Sequence, residues 1–420
     1  MFSLAVSRGW LIQQVDINNA FLNGSLQQVV YMAQPEGFVH PDKPHHVCKL
    51  VKALYGLKQD PRAWFEKLKD FLLSLHFHVS TSDNSLFFLQ TNGKLILLLV
   101  YVDDILITGD DSAFVLELIS KLNATFALKH LGQVSYFLGL EAHKISGGYL
   151  LNQPKYISDI LAKTNMTDCK PSPTPFCSGQ KLSLGDNTSF SLPSLYRITV
   201  GSLQYLTMTR PDIAYAVHKL SQFLQAPTEN HWTACKKILR YLKGSRFLGI
   251  KFVASPRMNL EAFVDADWAS SCDDRKSISG YCVFLGPNLI SWCSKKQQVV
   301  ARSSTEAEYR SMAVATTDLI WIQSLFDELG LHIESPTVLW CDNSSAISLA
   351  SNPVFHQRTK HIEIDIHFIR EKVRDKIIDI HFVPSESQIT DVLTKPLSLA
   401  RFQFLCSRLS LVTARFKGAY

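Results

Sequence analysis

Two adjacent aspartates, Asp103 and Asp104, interrupt an otherwise apolar stretch of the chain. The runs Leu97–Val102 and Ile105–Ile107 flank them, so the pattern predicts two buried strands with the carboxylates at the connecting turn. Carboxylates this close repel each other, and burial adds to that cost unless a cation neutralises them. The hard, oxygen-seeking ion that suits such a pair is Mg²⁺. An ordinary polar turn is the alternative interpretation, because aspartate is common in turns.

A third carboxylate, Asp16, ends a short predicted strand within Leu11–Gly24. It could join the first pair at the edge of a sheet, or it could instead be the N-cap of a helix. Asn92-Gly93 lies between two further apolar runs, which is a strong signal for a hairpin. The sequence therefore predicts a sheet with acids at its turns.

A second group of acids lies in the C-terminal part of the chain. Leu260–Ser270 reads LEAFVDADWAS and predicts a strand with Asp265 and Asp267 on one face, since side chains alternate with a period of two. Thr337–Asp342 predicts another strand that ends on an acid, and Asp391 follows near the end of the region. Taken singly, each acid could be an ordinary surface carboxylate.

A long predicted helix, Ser303–Leu329, lies between those strands and indicates an α/β domain. It carries two glutamates, Glu306 and Glu308, that point to nearly opposite sides because they are two residues apart. Glu308 lies on an apolar stripe with Met312 and Leu319, which we expect to face the core. Glu306 lies on the other side, which we expect to be solvated, so Glu308 is the candidate.

The bulk composition excludes some classes of protein. The chain has 420 residues and a net charge of +6, which permits a nucleic-acid partner without establishing one. Its nine cysteines are odd in number and form no CxxC pair, so we expect an intracellular protein, cytoplasmic or nuclear and not secreted. The most apolar run, Leu95–Val102, is far shorter than the ~20 residues of a membrane-spanning helix.

Three motifs resemble, in family order, the reverse transcriptase of copia-type retrotransposon Pol polyproteins. YVDD at Tyr101–Asp104 is similar to the polymerase signature, and VDINNAFLNG at Val15–Gly24 to the first catalytic motif. LYGLKQDPRAW at Leu54–Trp64 is similar to the motif that positions template and nucleotide. The resemblance implies a nucleotidyltransferase in which Asp16, Asp103 and Asp104 hold two Mg²⁺ ions for phosphoryl transfer.

The same resemblance implies a set of substrate-binding residues. These are Phe21, Tyr55, Gly56, Lys58, Gln59, Pro61 and Arg62. Phe21 matches the aromatic that blocks a ribose 2′ hydroxyl, so the implied substrates are deoxynucleoside triphosphates on an RNA template with a DNA primer. Plain core packing is the alternative for Phe21, and a solvated basic face is the alternative for Lys58 and Arg62.

SSTEAEY at Ser303–Tyr309 and WCDN at Trp340–Asn343 resemble the copia-type ribonuclease H. The resemblance implies an endonuclease that cuts the RNA strand of an RNA–DNA hybrid by means of two Mg²⁺ ions and a directed water. The residues carried over are Asp265, Glu308, Asp342 and Asp391. Some ribonucleases H carry a histidine just before the last acid, but Val383–Gln388 contains none, which leaves the product-release step open.

The fold implied is multidomain, combining α/β and α+β parts. We expect a reverse transcriptase palm with an antiparallel sheet and helices in 1–175 and a mostly helical thumb and connection in 176–256. A ribonuclease H-like mixed-sheet α/β domain in 257–400 and a tail in 401–420 complete the prediction.

Two departures from the family pattern bear on the polymerase. Only nine residues precede Trp10, where family members carry the fingers, so we expect an N-terminally truncated copy. Asp60 stands where the family has a small residue, and a carboxylate close to phosphates is unfavourable. Three hypotheses follow: a polymerase with ribonuclease H activity, a ribonuclease H alone, and a non-catalytic nucleic-acid-binding remnant.

A basic stretch, His231–Lys251, is interleaved with the aromatics Trp232 and Tyr241. On a helix it could follow a duplex backbone through phosphate contacts, or it could be a solvated amphipathic face. Its place between two nucleic-acid-processing regions favours duplex contact.

Overall fold

The computed structural model describes residues 1–24, 26, 28–185, 188–333, 336–351 and 362–413. Their contacts divide the chain into two compact units. Unit 1 consists of Ser3–Leu138 with Met1 and Asp327–Leu331, and unit 2 of Phe2, Gly139–Phe326 and His332–Tyr420. Residues 139–175, which we predicted with the palm, therefore belong by contacts to unit 2. The functional domain limits stay predictions.

The elements as far as Phe137 alternate short strands with amphipathic helices. In chain order they are α1 Phe2–Arg8, β1 Gln13–Ile17, a 3-10 turn Ala20–Asn23, β2 Tyr31–Ala33, β3 Val47–Lys49, α2 Asp60–Ser74, β4 His78–Val79, β5 Leu86–Thr91, β6 Lys94–Tyr101, β7 Asp104–Gly109, α3 Ser112–Phe126, β8 Leu128–Gln133 and β9 Tyr136–Phe137.

The main sheet of unit 1 has the strand order β4-β5-β6-β7-β1-β8, and its neighbouring strands are antiparallel. The predicted hairpin at Asn92-Gly93 is confirmed, since these two residues join β5 to β6 with φ of 50° and 75°. Helices α2 and α3 bury their apolar stripes in the core of the unit, through Trp64 and Leu68 on α2 and Leu122 on α3. This sheet positions the first group of acids.

Unit 2 contains the elements from β10 onward. In chain order they are β10 Leu140–Ile145, β11 Gly148–Asn152, α4 Pro154–Lys163, α5 Pro193–Leu206, a 3-10 turn Pro211–Ile213, α6 Ala214–Ser221, α7 Glu229–Gly244, β12 Leu248–Val253, β13 Leu260–Asp267, β14 Ile278–Leu285, β15 Asn288–Lys296, α8 Ser304–Glu328, β16 Thr337–Cys341, α9 Ser344–Ser351, α10 Glu363–Arg374, β17 Ile378–Phe382, a 3-10 turn Ser385–Ser387, α11 Asp391–Thr394, α12 Leu399–Arg408 and β18 Leu411–Thr413.

The sheet that carries the second group of acids has the order β15-β14-β13-β16-β17. Strands β15, β14 and β13 are antiparallel, whereas β13, β16 and β17 run parallel. This is the mixed sheet that we expected, and the predicted long helix is α8. Because parallel strands need a crossover connection, α8 leads from β15 to β16.

The structure differs from the sequence expectations in two places. The region predicted to be mostly helical includes strand β12, which pairs with β11 and β18. Most of the predicted tail is integral to unit 2, because α12 buries Phe402 and Leu405 and β18 joins a sheet. Residues 414–420 lie outside the described residues.

All nine cysteines are free thiols. Within the part of the chain that the structure describes, no helix combines the length and the apolar character needed to cross a bilayer.

Candidate active sites

The first acidic cluster forms where β1 lies beside the β6–β7 hairpin. Antiparallel pairing places Asp16 directly opposite Asp104. The backbone N–H of Ile17 donates to the carbonyl of Asp103 at 2.9 Å. The sheet thus brings together the three acids that the sequence picked out separately, and Asp16 does not act as a helix N-cap, since it lies within β1.

The local charge at this turn favours a cation. Burial raises the pKa of Asp104 above its usual value, and the neighbouring Asp103 and Asp16 raise it further, while a hydrogen bond from Gln14 opposes the shift. A divalent ion would relieve this repulsion without requiring protonation of a carboxylate. The cluster can therefore hold Mg²⁺ on chemical grounds, because it offers carboxylate oxygens only.

The turn that carries Asp103 is held by a tryptophan. Val102 has φ of 55°, a left-handed conformation that is unfavourable for a β-branched residue. The indole N–H of Trp64 on α2 donates to the carbonyl of Val102 at 2.7 Å. Sequence reasoning placed Trp64 inside a motif but missed this contact. The signal that could have found it is a lone tryptophan on the buried face of an amphipathic helix.

The predicted substrate-binding residues lie on two neighbouring segments of unit 1. The ring of Phe21 lies 5.6 Å from the ring of Tyr55, which is 90% exposed. Phe21 is also packed against the core, so the packing interpretation stays open. Gly56 has φ of 111°, which only glycine adopts easily, and Lys58 is exposed.

The start of α2 carries the remaining members of this set. Gln59 and Arg62 line a cavity of about 460 Å³, and Pro61 is exposed. Arg62 forms an exposed ion pair with Glu66 at 2.9 Å, which is weak enough to exchange for a phosphate.

Asp60 has a structural role that the sequence did not indicate. It is 1% exposed and is the first residue of α2, where a negative charge is stabilised by the helix dipole. Its carboxylate accepts the backbone N–H of Leu57 at 3.0 Å. We therefore attribute this acid to the start of the helix.

The second acidic cluster lies at one end of the mixed sheet. Asp265 on β13, Glu308 on α8 and Asp391 on α11 are 1%, 5% and 8% exposed, and Asp342 directly follows β16. Glu308 Oε1 accepts the backbone N–H of Ala266 at 3.1 Å. Four distant segments of the chain thus deliver their acids to one place.

Asp342 closes the cluster from the parallel side of the sheet. Glu308, Cys341 and Asp342 each offer a ligand atom, and these atoms lie within 4.8 Å of one another. Asp342 also accepts the hydroxyl of Ser385 at 2.9 Å. Ser385 belongs to the loop that we noted for its lack of a histidine.

Two cations contact the other side of the cluster. Lys395 Nζ lies 3.1 Å from Asp265 Oδ1 and 2.9 Å from Asp391 Oδ1. Arg401 pairs with the other oxygen of Asp391 at 3.1 Å. The hydroxyl of Thr394 donates to Asp265 Oδ2. Sequence reasoning missed both cations, although Lys395 stands four residues after Asp391, the spacing of neighbours on a helix.

Burial dominates the electrostatics of this cluster. It raises the pKa of Asp265 to about 6, with Asp391 and Asp342 adding to the rise and Lys395 and Thr394 opposing it. Burial likewise raises the pKa of Glu308 well above its usual value, and the charges of Asp265 and Asp342 raise it further.

The choice between the two glutamates of α8 is consistent with the geometry, but one expectation was wrong. Glu306 is not solvated: it is 3% exposed, pairs with Arg310 at 2.8 Å and accepts the backbone N–H of Arg302 at 2.7 Å. Glu308 is the one that reaches β13. Asp267, on the same strand as Asp265, is partly buried.

Gly280 makes room for the helix that carries the last acid. It pairs with Asp265 across β13 and β14. A Cβ at this position would lie 2.6 Å from Thr394 Cγ2, closer than such atoms approach, and 3.1 Å from Leu393 Cβ, a tight contact. Helix α11 can therefore lie against the sheet only because residue 280 has no side chain.

The cluster fits a hard divalent cation. Among the described residues, Glu308 Oε2 is buried without a hydrogen-bond partner, and an orphaned carboxylate oxygen is costly unless a cation contacts it. Glu308 and Asp342 would hold such an ion.

The basic stretch His231–Lys251 lies on α7, the turn after it and the start of β12. Trp232 and Tyr241 are 9% and 7% exposed, so neither is available to stack on bases. Arg240 Nε donates to the carbonyl of Lys170 at 2.8 Å, and Lys243 donates to the carbonyl of Thr167. These two cations therefore hold the loop that contains Thr167 and Lys170 against α7.

Comparisons with known proteins agree with the geometry. Residues 1–178 match the family described as reverse transcriptase (RNA-dependent DNA polymerase). The retrovirus-related Pol polyprotein from transposon RE1 of Arabidopsis thaliana is 50% identical over 411 residues, which cover 98% of this chain and 28% of that protein. A transposon Ty5-1 protein of Saccharomyces cerevisiae is 33% identical over 300 residues, which cover 70% of this chain and 97% of that protein.

A solved structure of the foamy viral protease–reverse transcriptase in complex with an RNA/DNA hybrid supports the fold class. It matches with a TM-score of 0.51 at 12% identity, covering 89% of this chain and 44% of that one. The chain therefore belongs to the family of copia-type retrotransposon Pol proteins, and its residues 1–178 match the reverse transcriptase model. It spans less than a third of the length of the RE1 polyprotein, at 28%.

Proposed function

We propose that this chain is an RNA-directed DNA polymerase with ribonuclease H activity. The observation that carries the proposal is the convergence of two separate sets of acids, one at the β6–β7 turn and one at the end of the mixed sheet. Each set crowds carboxylates where only cations make the charge tolerable.

In unit 1, Asp16, Asp103 and Asp104 would hold the Mg²⁺ ions that lower the barrier to phosphoryl transfer. Trp64 keeps the turn in place, and Phe21 and Tyr55 form an aromatic surface. The substrates would be deoxynucleoside triphosphates on a primed RNA template.

Around that surface, Gly56 and Pro61 would shape the loop beside the incoming base. Lys58, Gln59 and Arg62 would contact phosphates or template, and the exposed position of Lys58 and Arg62 leaves both cations accessible.

In unit 2, Asp265, Glu308, Asp342 and Asp391 would hold the ions that activate a water for attack on the RNA strand of a hybrid. The hydroxyl of Ser385 and the backbone N–H of Ala266 orient Asp342 and Glu308. Sub-ångström placement of ligands matters to metal catalysis, so these contacts support the role.

One pair of assays tests both activities on the full chain. Primer extension on an RNA template and cleavage of a labelled RNA–DNA hybrid would be measured with Asp103→Asn and Asp342→Asn. We expect Asp103→Asn to lose extension at least 100-fold and to keep cleavage, and Asp342→Asn to show the reverse.

The wild-type chain decides among the alternatives. Cleavage without extension would leave a ribonuclease H alone, and neither activity, in a folded chain with Mg²⁺ present, would leave a nucleic-acid-binding remnant. Equal loss of both activities in each variant would contradict the assignment of separate sites.

A further inference from the structure

The acid cluster of unit 2 is electrostatically asymmetric. On one side, the ammonium of Lys395 bridges Asp265 Oδ1 and Asp391 Oδ1 at 3.1 and 2.9 Å. Both carboxylates are buried, so this pairing is little screened by solvent. The position between two carboxylates is one that a divalent cation could also take.

The other side of the cluster has no such cation. In the described parts of the chain, neither Glu308 nor Asp342 has a Lys or Arg at ion-pair distance. Their partners are the backbone N–H of Ala266 and the hydroxyl of Ser385, which carry no net positive charge.

The fold holds the ammonium in place. Lys395 follows α11 and reaches back to Asp391 at the i+4 spacing. Asp391 is fixed from outside by Arg401, and Asp265 by the hydroxyl of Thr394. Because Gly280 lets α11 pack against the sheet, the backbone after this helix places Lys395 beside the cluster.

We propose that Lys395 is a built-in counter-cation that makes the two metal positions of this site unequal. One divalent ion binds at Glu308 and Asp342, and a second binds only by displacing the ammonium from Asp265 and Asp391. The inference rests on the proposed ribonuclease H site and adds to it the order in which the two divalent ions bind.

The physical reason is competition for the same oxygens. A divalent ion contacts carboxylate oxygens at about 2.0–2.6 Å, so it cannot share Asp265 Oδ1 and Asp391 Oδ1 with an ammonium already on them. Displacement breaks two ion pairs in a region of low screening, which weakens the second ion relative to the first.

Mn²⁺ binding followed by electron paramagnetic resonance tests the proposal. The full chain would carry Asp103→Asn and Asp104→Asn, so that the bound ions belong to unit 2. We expect two classes of site, the second at least tenfold weaker. With Lys395→Met added, the second class should tighten at least tenfold, whereas the control Lys237→Met, on α7, should leave both classes unchanged.

Thermal unfolding in EDTA supplies a readout without metal. Lys395→Met should lower the melting temperature by several degrees, because two buried carboxylates lose their partner, and Mn²⁺ should restore it. If Lys395→Met does not fold, Lys395→Gln, which keeps polar contacts, is measured in its place. An unchanged second class, or an unchanged melting temperature in EDTA, overturns the proposal.

Hybrid cleavage separates this inference from the function on which it rests. Two unequal classes that respond to Lys395→Met, in a chain that cleaves no hybrid, would support the counter-cation and contradict the nuclease. Absence of Mn²⁺ binding in every variant overturns both.

Discussion

At the scale of single residues, the acid cluster of unit 2 depends on Gly280, a position without a side chain. The acids could be predicted because carboxylates at strand ends stand out against apolar runs. Gly280 could not, because its importance comes from Thr394, more than a hundred positions away along the chain, and no local pattern records that approach. Lys395 was missed for a related reason: its partner Asp265 lies on another element.

Gly280→Ala should lower hybrid cleavage roughly 10- to 100-fold, since α11 must move away from the sheet and carry Asp391 with it. Primer extension should stay within twofold of wild type. The matched control is Gly201→Ala in α5, where a Cβ would meet no atom within 4 Å. Equal cleavage by the two variants would contradict the argument.

His218 predicts a pH dependence of stability. Burial, together with the nearby positive charges of Lys219, Lys296 and Lys295, lowers its pKa to about 4, and its Nε2 accepts the backbone N–H of Lys296 at 2.8 Å. Unfolded histidine takes up its proton near pH 6.5, so the free energy of unfolding should fall as pH drops from about 6.5 to 4, by up to ~1.4 kcal/mol per pH unit.

Urea unfolding at several pH values would measure this slope. His218→Gln, which cannot take up a proton, should flatten the dependence between pH 6.5 and 4 relative to wild type. The same slope in both proteins would show that His218 does not set it.

At the scale of elements, the β6–β7 turn links the secondary structure of unit 1 to its candidate active site. The β5–β6 hairpin and the long helix α8 were predicted, because turn chemistry and apolar periodicity are local signals. Strand β12, in a region that we expected to be mostly helical, was missed because its pairing with β11 and β18 is a tertiary contact.

Trp64→Phe should reduce primer extension about tenfold without affecting hybrid cleavage. Phenylalanine keeps the apolar bulk on α2 but loses the hydrogen bond to Val102, whose conformation is then less restrained. Trp10→Phe is the matched control, because it removes an indole hydrogen bond of 2.7 Å to Asp110, just beyond the far end of β7. A similar loss of extension in both variants would indicate a general effect on the sheet.

At the scale of the whole molecule, the family, the fold class and the order of the acids could be predicted, because motifs and strand patterns persist along the sequence. The grouping of 139–175 with unit 2 and the structural role of the C-terminal helix could not. Both depend on contacts between segments far apart in the chain. The periodicity of apolar residues carries no information about such contacts.

A chain ending at Leu397 should lower the melting temperature of unit 2 and abolish hybrid cleavage, because it lacks α12, β18 and the pairing of Arg401 with Asp391. Primer extension should persist. A chain ending at Thr413 keeps these contacts and is the control. Full cleavage by the shorter chain would show that α12 is dispensable.

The order of the second cluster's acids along the chain has a consequence for how mutations inactivate copies of a retrotransposon. Asp391 and Arg401 follow the three acids of the first cluster and the other three acids of the second along the chain. A stop codon introduced between Asp342 and Asp391 would thus remove the last acid of the second cluster while keeping Asp16, Asp103 and Asp104. Under the proposed function, a copy with such a stop codon should still copy RNA but no longer remove it.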